Sequence, residues 1–414
     1  DWAAAALRAL AVDDAAWARW QQSRIAPALR HPWVDEVQVD GLATVDPQAV
    51  RRHLSQQPDT PLNTARLNRD LLRAFGDGWY ESVDYSLVTL HGRNILRITP
   101  IEKPWGPDYL RFAVNLDTTL SQGSSYSLRA GYQKTWLNRL GGELLASAEI
   151  GSRTGLELEW HQPLDARQRW FAELDLGAGW SFSDLFRDGD RIARYQVYRS
   201  QAEFGLGRSL SRLGELRASW SESVWRGDLE TGTVLLPVGR QYLGGAALGV
   251  DLDQLNRLYF PTDGWAAQLR YFRSKRGDYS RLSAELRGAW SMGPWVLGTR
   301  LAYVGSPRGQ LPIFEAGALG GFLNLSGHAR GQYVADTVRY GHLRAERIIG
   351  RLPLGLRGDM RLGLALELGS VDQPYTELAR TGLLDSAAVY VGGETPFGPV
   401  YLGYGQSSAG SSNA

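Results

Sequence analysis

From Tyr109 onward, apolar and polar residues alternate with period two, and no other feature constrains the fold as tightly. Leu110, Phe112, Val114 and Leu116 share one face, opposite Arg111, Ala113, Asn115 and Asp117. Trp170, Ala172, Leu174, Leu176, Ala178 and Trp180 oppose Glu173, Asp175 and Gly177, and Leu362, Leu364, Leu366 and Leu368 oppose Arg361, Gly363, Ala365 and Glu367. Successive side chains of a strand point to opposite faces, so each segment has a greasy face and a face of charges and glycine. A half-solvated soluble sheet gives the same pattern. Three features favour a membrane barrel instead. Trp or Tyr often brackets the greasy face, as an interfacial girdle requires. The segments are about ten residues long, enough for a tilted strand to cross the hydrocarbon layer. They also outnumber the strands of an ordinary sheet, and only closure removes unpaired edges in lipid.

Segments start near 109, 124, 142, 154, 169, 190, 214, 244, 264, 278, 295, 336, 356, 384 and 398. That is about fifteen, while single-chain bacterial barrels have even numbers. With Ser411-Ser412-Asn413-Ala414 closing the sequence, the expectation is a sixteen-stranded barrel whose last strand lies beyond Ala414. Gly305–Ala335 is the longest interruption, and loops this long are usually functional.

Ahead of the barrel the pattern changes. Residues 1–33 read as a helical connector bearing Trp2, Trp17 and Trp20. Residues 34–103 read β-α-α-β-β: an alternating strand from Val34, a helix capped by Asp46 with Pro47 in its first turn, a helix capped at Asn63-Thr64, then strands Tyr80–Leu90 and Asn94–Ile101. Residues 104–108, opening Pro104-Trp105-Gly106-Pro107, form a linker, and 109–414 the barrel. The opening at Asp1 reads as that of a mature product or a fragment.

Composition removes several function classes. With 45 Lys+Arg against 44 Asp+Glu there is no global basic footprint for nucleic acid. The absence of cysteine excludes disulfides, thiolate metal sites and cysteine nucleophiles. Gly151-Ser152-Arg153-Thr154-Gly155 puts its serine at the wrong position for a nucleophile elbow, and the six histidines show no metal-ligand spacing. Gly205-Leu206-Gly207 lacks the third glycine of a dinucleotide loop, with Leu210 in its place. No catalytic chemistry, cofactor or metal is expected. Inward arginines such as Arg111, Arg129, Arg281, Arg287 and Arg361 suit a conduit lining, or a solvated charge ladder balanced by Glu285 and Asp175.

A β-α-α-β-β module before such a barrel resembles the outer-membrane transporters with POTRA domains: barrel-assembly insertases, two-partner secretion transporters and patatin-like type Vd autotransporters. Asp253, Pro261 and Gly264 match the family's Asp…Pro-x-x-Gly strand connection, and Thr395-Pro396-Phe397-Gly398-Pro399 matches a later hairpin. The family's inward loop carries Val/Ile-Arg-Gly-Phe/Tyr; here Leu325-Ser326-Gly327-His328 falls at that place, with Ser326 where the arginine usually stands. The partner segment, aromatic-x-Asp-x-Gly in the family, reads Ala365-Leu366-Glu367-Leu368-Gly369. The resemblance implies a loop pinned to Glu367, and Arg330 is the expected cation of that latch. A single POTRA-like module after a connector is most similar to the patatin-like branch. It implies an outer-membrane translocator with its POTRA domain in the periplasm, acting on a passenger polypeptide, an attached N-terminal lipase above all. A two-partner transporter, an insertase and a passive porin are the alternatives.

Overall fold

The computed structural model describes residues 13, 15–17, 19–20, 32–104, 108–119, 123–237, 239–352, 358–377, 382–395, 398–408 and 410–413. Most of the connector 1–33, residues 105–107 of the linker and Pro396-Phe397 lie outside the described residues. The chain divides into two units, Asp1–Pro104 and Trp105–Ala414.

The smaller unit contains β1 (Trp33–Val34), β2 (Glu36–Val39), α1 (Pro47–Arg51), β3 (Thr60–Pro61), α2 (Thr64–Gly76), β4 (Tyr80–Leu90) and β5 (Arg93–Glu102). Both helices begin as their caps require. The Asp46 carboxylate accepts the Gln48 N–H, and the Asn63 side chain accepts the Arg66 N–H. The main sheet has order β2-β5-β4, with β2 parallel to β5, so β4 is an eleven-residue edge strand. Val50, Leu67, Leu71, Ala74, Leu96 and Ile98 form the small core. Burial, with the Asp77 charge nearby, pushes the Tyr80 hydroxyl well above its ordinary pKa.

The larger unit is a ring of antiparallel strands. It starts with β6 (Asp108–Thr119), β7 (Gly123–Lys134), β8 (Glu143–Gly151), β9 (Arg153–Pro163), β10 (Trp170–Arg187) and β11 (Asp190–Ser209). It continues with β12 (Gly214–Gly232), β13 (Arg240–Asp253), β14 (Gly264–Ser274), β15 (Ser280–Met292) and β16 (Trp295–Arg308). β17 (Gly317–Leu319), β18 (Tyr333–Arg351), β19 (Asp359–Pro374), β20 (Gly382–Thr395), β21 (Gly398–Gln406) and β22 (Ser412–Asn413) complete it. Every strand predicted from alternation is present. The sixteenth wall position, expected beyond Ala414, is occupied in part by the two-residue β22, which pairs with β21 and closes the ring onto β6. β17 belongs to the long connection; below it β16 and β18 pair directly.

The greasy face points outward: Phe112 is 77 % exposed and Leu402 80 %. An apolar band of this kind is stable only against lipid. No helix among the described residues is long and apolar enough to cross a membrane. Calling the end at which β6 starts the near rim, alternation of strand direction puts the turns after β13 and β20 there. The connection 309–332, after β16, is at the far rim.

Candidate functional site: a loop folded into the lumen

The connection 309–332 does not stand away from the barrel. Its first part packs on the wall made by β11 and β12. Phe314 stacks on Trp225 with ring centroids 5.3 Å apart, and Ile313 and Phe314 flank the buried cluster of Leu185, Tyr195, Val197 and Leu236. The Arg281 Nε–H donates to the Glu315 carbonyl at 2.9 Å. Burial raises the Glu315 carboxyl above its usual range, against the opposing pull of Arg281 and Arg199. The loop tip reaches the opposite wall. There Leu325 is fully buried with Leu319, Tyr333, Tyr340 and Val371.

Glu367 is the anchor of that tip. It is 1 % exposed, and its carboxylate accepts the Ser326 N–H at 2.5 Å. The Tyr340 hydroxyl is 2.9 Å from Glu367 Oε1 and 2.7 Å from the Leu323 carbonyl oxygen. The neighbouring Gly327 N–H donates to Ser386 Oγ at 3.2 Å. The backbone is turned to present these amides: Leu323 and Leu325 both have positive φ, 51° and 77°, a conformation that costs side-chain-bearing residues energy and is held here by the packing.

The expected cation is a correction. Arg330 does not pair with Glu367; its carboxylate partner is Asp117 on β6. Among the described residues no lysine or arginine forms an ion pair with Glu367. Hydrogen-bond donors take the place of a counter-charge, chief among them the Ser326 main-chain amide and the Tyr340 hydroxyl. The latch acid and the loop were legible; the donor was not.

Missing side chains make room for the loop. A Cβ on Gly405 would lie 2.4 Å from the Ser326 Cβ, and one on Gly369 2.9 Å from Leu325. His328, also buried, has its Nδ1 3.1 Å from Ser411 Oγ and 3.3 Å from the Tyr333 hydroxyl. The loop therefore touches β19, β20, β21 and β6, bridging the place where the ring closes. Tyr340, Ser386 and Gly405 were not singled out in the sequence, although Gly403 and Gly405 alternate with outward Leu402 and Tyr404 and so mark space inside the wall.

A second element enters from the near rim. Asp253, Pro261 and Gly264 frame the turn 254–263; Asp253 Oδ1 accepts the Leu255 N–H, and Gly264 has φ 103° with no room for a Cβ beside the Gln254 carbonyl. This turn drives Phe260 inward, 3 % exposed, onto Tyr401 at 5.1 Å and under the Arg361 guanidinium at 5.3 Å. Phe322 of the long loop meets the same Tyr401 at 5.3 Å and Tyr390 at 5.5 Å. Beside this aromatic column Glu346 is buried with Arg344 and Arg361, both at 3.4 Å, and accepts the Tyr390 hydroxyl at 2.7 Å.

The remaining lumen wall is a charge ladder. Arg217 pairs with Glu173 at 2.6 Å, Arg270 with Glu203 at 2.9 Å, and Arg300 with Glu285 at 2.8 Å. A cavity of about 370 Å³ lies between this wall and the underside of the loop at Leu319 and Asn324. His161 takes part in the ladder through Glu173 at 3.1 Å.

No protein-family profile matches the chain, and no curated protein does. Solved structures do. The chain is similar to BamA from Haemophilus ducreyi lacking POTRA domains 1–3, with a TM-score of 0.70 and 15 % identity over 92 % of this chain and 82 % of that one. It is also similar to CdiB from Acinetobacter baumannii (TM-score 0.61, 13 % identity, 92 % and 72 % covered) and to CdiB from Escherichia coli (0.59, 15 %, 91 % and 73 %). At such identities the likeness establishes the fold: a closed antiparallel barrel of the kind these outer-membrane proteins share.

Proposed function

We propose that the chain is an outer-membrane translocator that secretes or displays a polypeptide, with residues 34–103 as a periplasmic POTRA domain and the far rim facing outside. The observation that carries this reading is the loop 309–332, folded across the lumen and held at Glu367. A diffusion pore has no use for a wall-to-wall closure made of buried hydrogen bonds, whereas a conduit for an unfolded chain must stay shut until loaded. The longest connection of the barrel, residues 309–332, lies at the far rim, and this supports the orientation; near-rim connections reach ten residues, at 254–263. The β4 edge, unpaired among the described residues, offers main-chain donors and acceptors to an extended segment, the β-augmentation mode of peptide capture. The fold shared with BamA and CdiB is consistent with this role.

The finer reading is that the passenger is an attached N-terminal patatin-like lipase domain. A separate polypeptide, as in two-partner secretion or barrel assembly, is the competing form. Deleting residues 34–103 is expected to abolish passenger exposure to external protease while the barrel still folds; undiminished display would refute the translocator mechanism. The sequence of the natural precursor separates the two forms, since an upstream Gly-x-Ser-x-Gly domain makes the passenger covalent.

A further inference from the structure

On β12, β13 and the turn that follows β14, outward-facing cations gather at the far rim. Arg226 on β12 stands in register with Tyr198 on β11 and Arg240 on β13. Its guanidinium lies 4.6 Å from the Tyr198 ring centroid. Lys275 and Arg276, just beyond β14, extend the group: Lys275 Nζ is 5.3 Å from the Trp220 ring and the Arg276 guanidinium 5.9 Å from Tyr242. Trp220 and Tyr242 are 42 % and 51 % exposed, and Leu248 and Leu269 continue the apolar band below them. The acids nearby are Asp228, 2.7 Å from Arg226, Glu222, 3.0 Å from Arg276, and Asp278, 2.7 Å from Arg273, which it offsets. Arg240 forms no ion pair among the described residues, and Lys275 shares Glu222 with Arg276, so the patch keeps a net positive charge. Elsewhere at this rim the outward cations are matched or absent: on β10 and β11 Arg194, over the Phe182 ring, is matched by Asp184 at 2.8 Å. On β6 and β7 the outward faces end in Thr118 and Ser124, and on β18–β20 Arg339 is matched by Asp372, with Asp385 adding a further acid.

We propose that this patch is a docking surface for the phosphorylated glucosamine headgroup of an outer-leaflet glycolipid, lipopolysaccharide. The site rests on the orientation given above, in which the far rim faces outside. Headgroup phosphates lie just above the acyl chains, at the level where aromatic girdle residues give way to polar ones. Four cations there, three held flat on aromatic faces, present several donors at one height, and clustered Lys and Arg at a membrane surface bind anionic headgroups. Guanidinium groups, of which the patch has three, suit the oxygen spacing of a phosphate.

The test uses the full chain in phosphatidylcholine nanodiscs, titrated with purified lipopolysaccharide and with the same lipid enzymatically dephosphorylated. The quadruple variant Arg226→Gln, Arg240→Gln, Lys275→Gln, Arg276→Gln is expected to bind about tenfold or more weakly, and wild type to lose a similar factor with the dephosphorylated lipid. Heat-modifiable gel mobility checks that each variant folds, and the pair Arg240→Gln, Lys275→Gln keeps the test open should the quadruple misfold. Unchanged binding by a folded variant overturns the proposal, and so does equal competition by phosphatidylglycerol, which would make the patch a reader of charge alone. Orientation is read separately from Asp188→Cys, the single thiol in a cysteine-free chain. Labelling by an impermeant maleimide on intact cells leaves the orientation standing whatever the lipid result. Labelling only after permeabilisation removes the orientation and the lipid site together.

Discussion

Two sectors of the lumen wall obey the same alternation and end in different physical states. On β9–β16 the inward charges form cross-strand pairs that water still reaches; Glu173 and Arg217 keep side-chain exposures of 17 % and 25 %. On β18–β21 the inward residues are covered by the loop, and Glu367 and Glu346 are 1 % exposed. Pairs that water still reaches contribute little, on the order of 1 kcal/mol each. Removing a buried acceptor leaves its donors unsatisfied, at about 1–3 kcal/mol for each. The wall is thus cheap to alter where water reaches it and costly where it holds the loop.

The sharpest break of this comparison is Glu367→Ala. It strands the Ser326 N–H, while the Tyr340 hydroxyl keeps the Leu323 carbonyl, and the loop should lose about 3 kcal/mol of anchoring. Limited proteolysis within 309–332 and single-channel conductance should both rise; protection equal to wild type would show that the acid does not hold the loop. Gly405→Val comes next. Its side chain would occupy the place of Ser326, and relief by displacement should cost about 2–3 kcal/mol. Gly249→Ala on the ladder wall is the control: an added Cβ there meets nothing closer than 3.9 Å, so loop protection should not change.

Much of this contrast was readable in the sequence, and the reason for the remainder is specific. Period two placed Glu367 inside because Leu366 and Leu368 had to face lipid, and it located every long strand. The loop was marked by its length and by its glycines. Its cationic partner was misassigned because a sequence displays side-chain charges and hides main-chain donors. Arg330 is visible as a cation, whereas the Ser326 amide becomes a donor only when positive φ at Leu323 and Leu325 turns it toward the wall. Burial was equally hidden, since Glu173 and Glu367 look alike in an alternating strand until the loop covers one of them. Phe260 was passed over inside a recognised motif, because nothing local shows that the turn points it into the barrel.

Weaker effects sharpen the same boundary. Arg270→Ala, on the ladder, should destabilise the barrel by no more than about 1 kcal/mol and leave loop protection alone, while shifting ion selectivity toward cations through the freed Glu203. Unfolding by denaturant with reversal potentials in asymmetric salt reads both, and a loosened loop would mean the two sectors are coupled.

Arg330→Ala decides between the two accounts of the latch. Were Arg330 the counter-ion of Glu367, the substitution would expose loop 309–332 to protease as strongly as Glu367→Ala does, and the double variant would add little more. With Arg330 set against Asp117 and more than half exposed, the loss should be about 0.5 kcal/mol. A double-mutant cycle on loop protection should then give a coupling between Arg330 and Glu367 near zero, below about 0.5 kcal/mol. The same cycle between Arg330 and Asp117 should be measurable and should weaken with added salt, because that pair bridges the strand closure in solvent. A strong Arg330–Glu367 coupling would return the latch to a charge pair and leave the Ser326 amide a bystander.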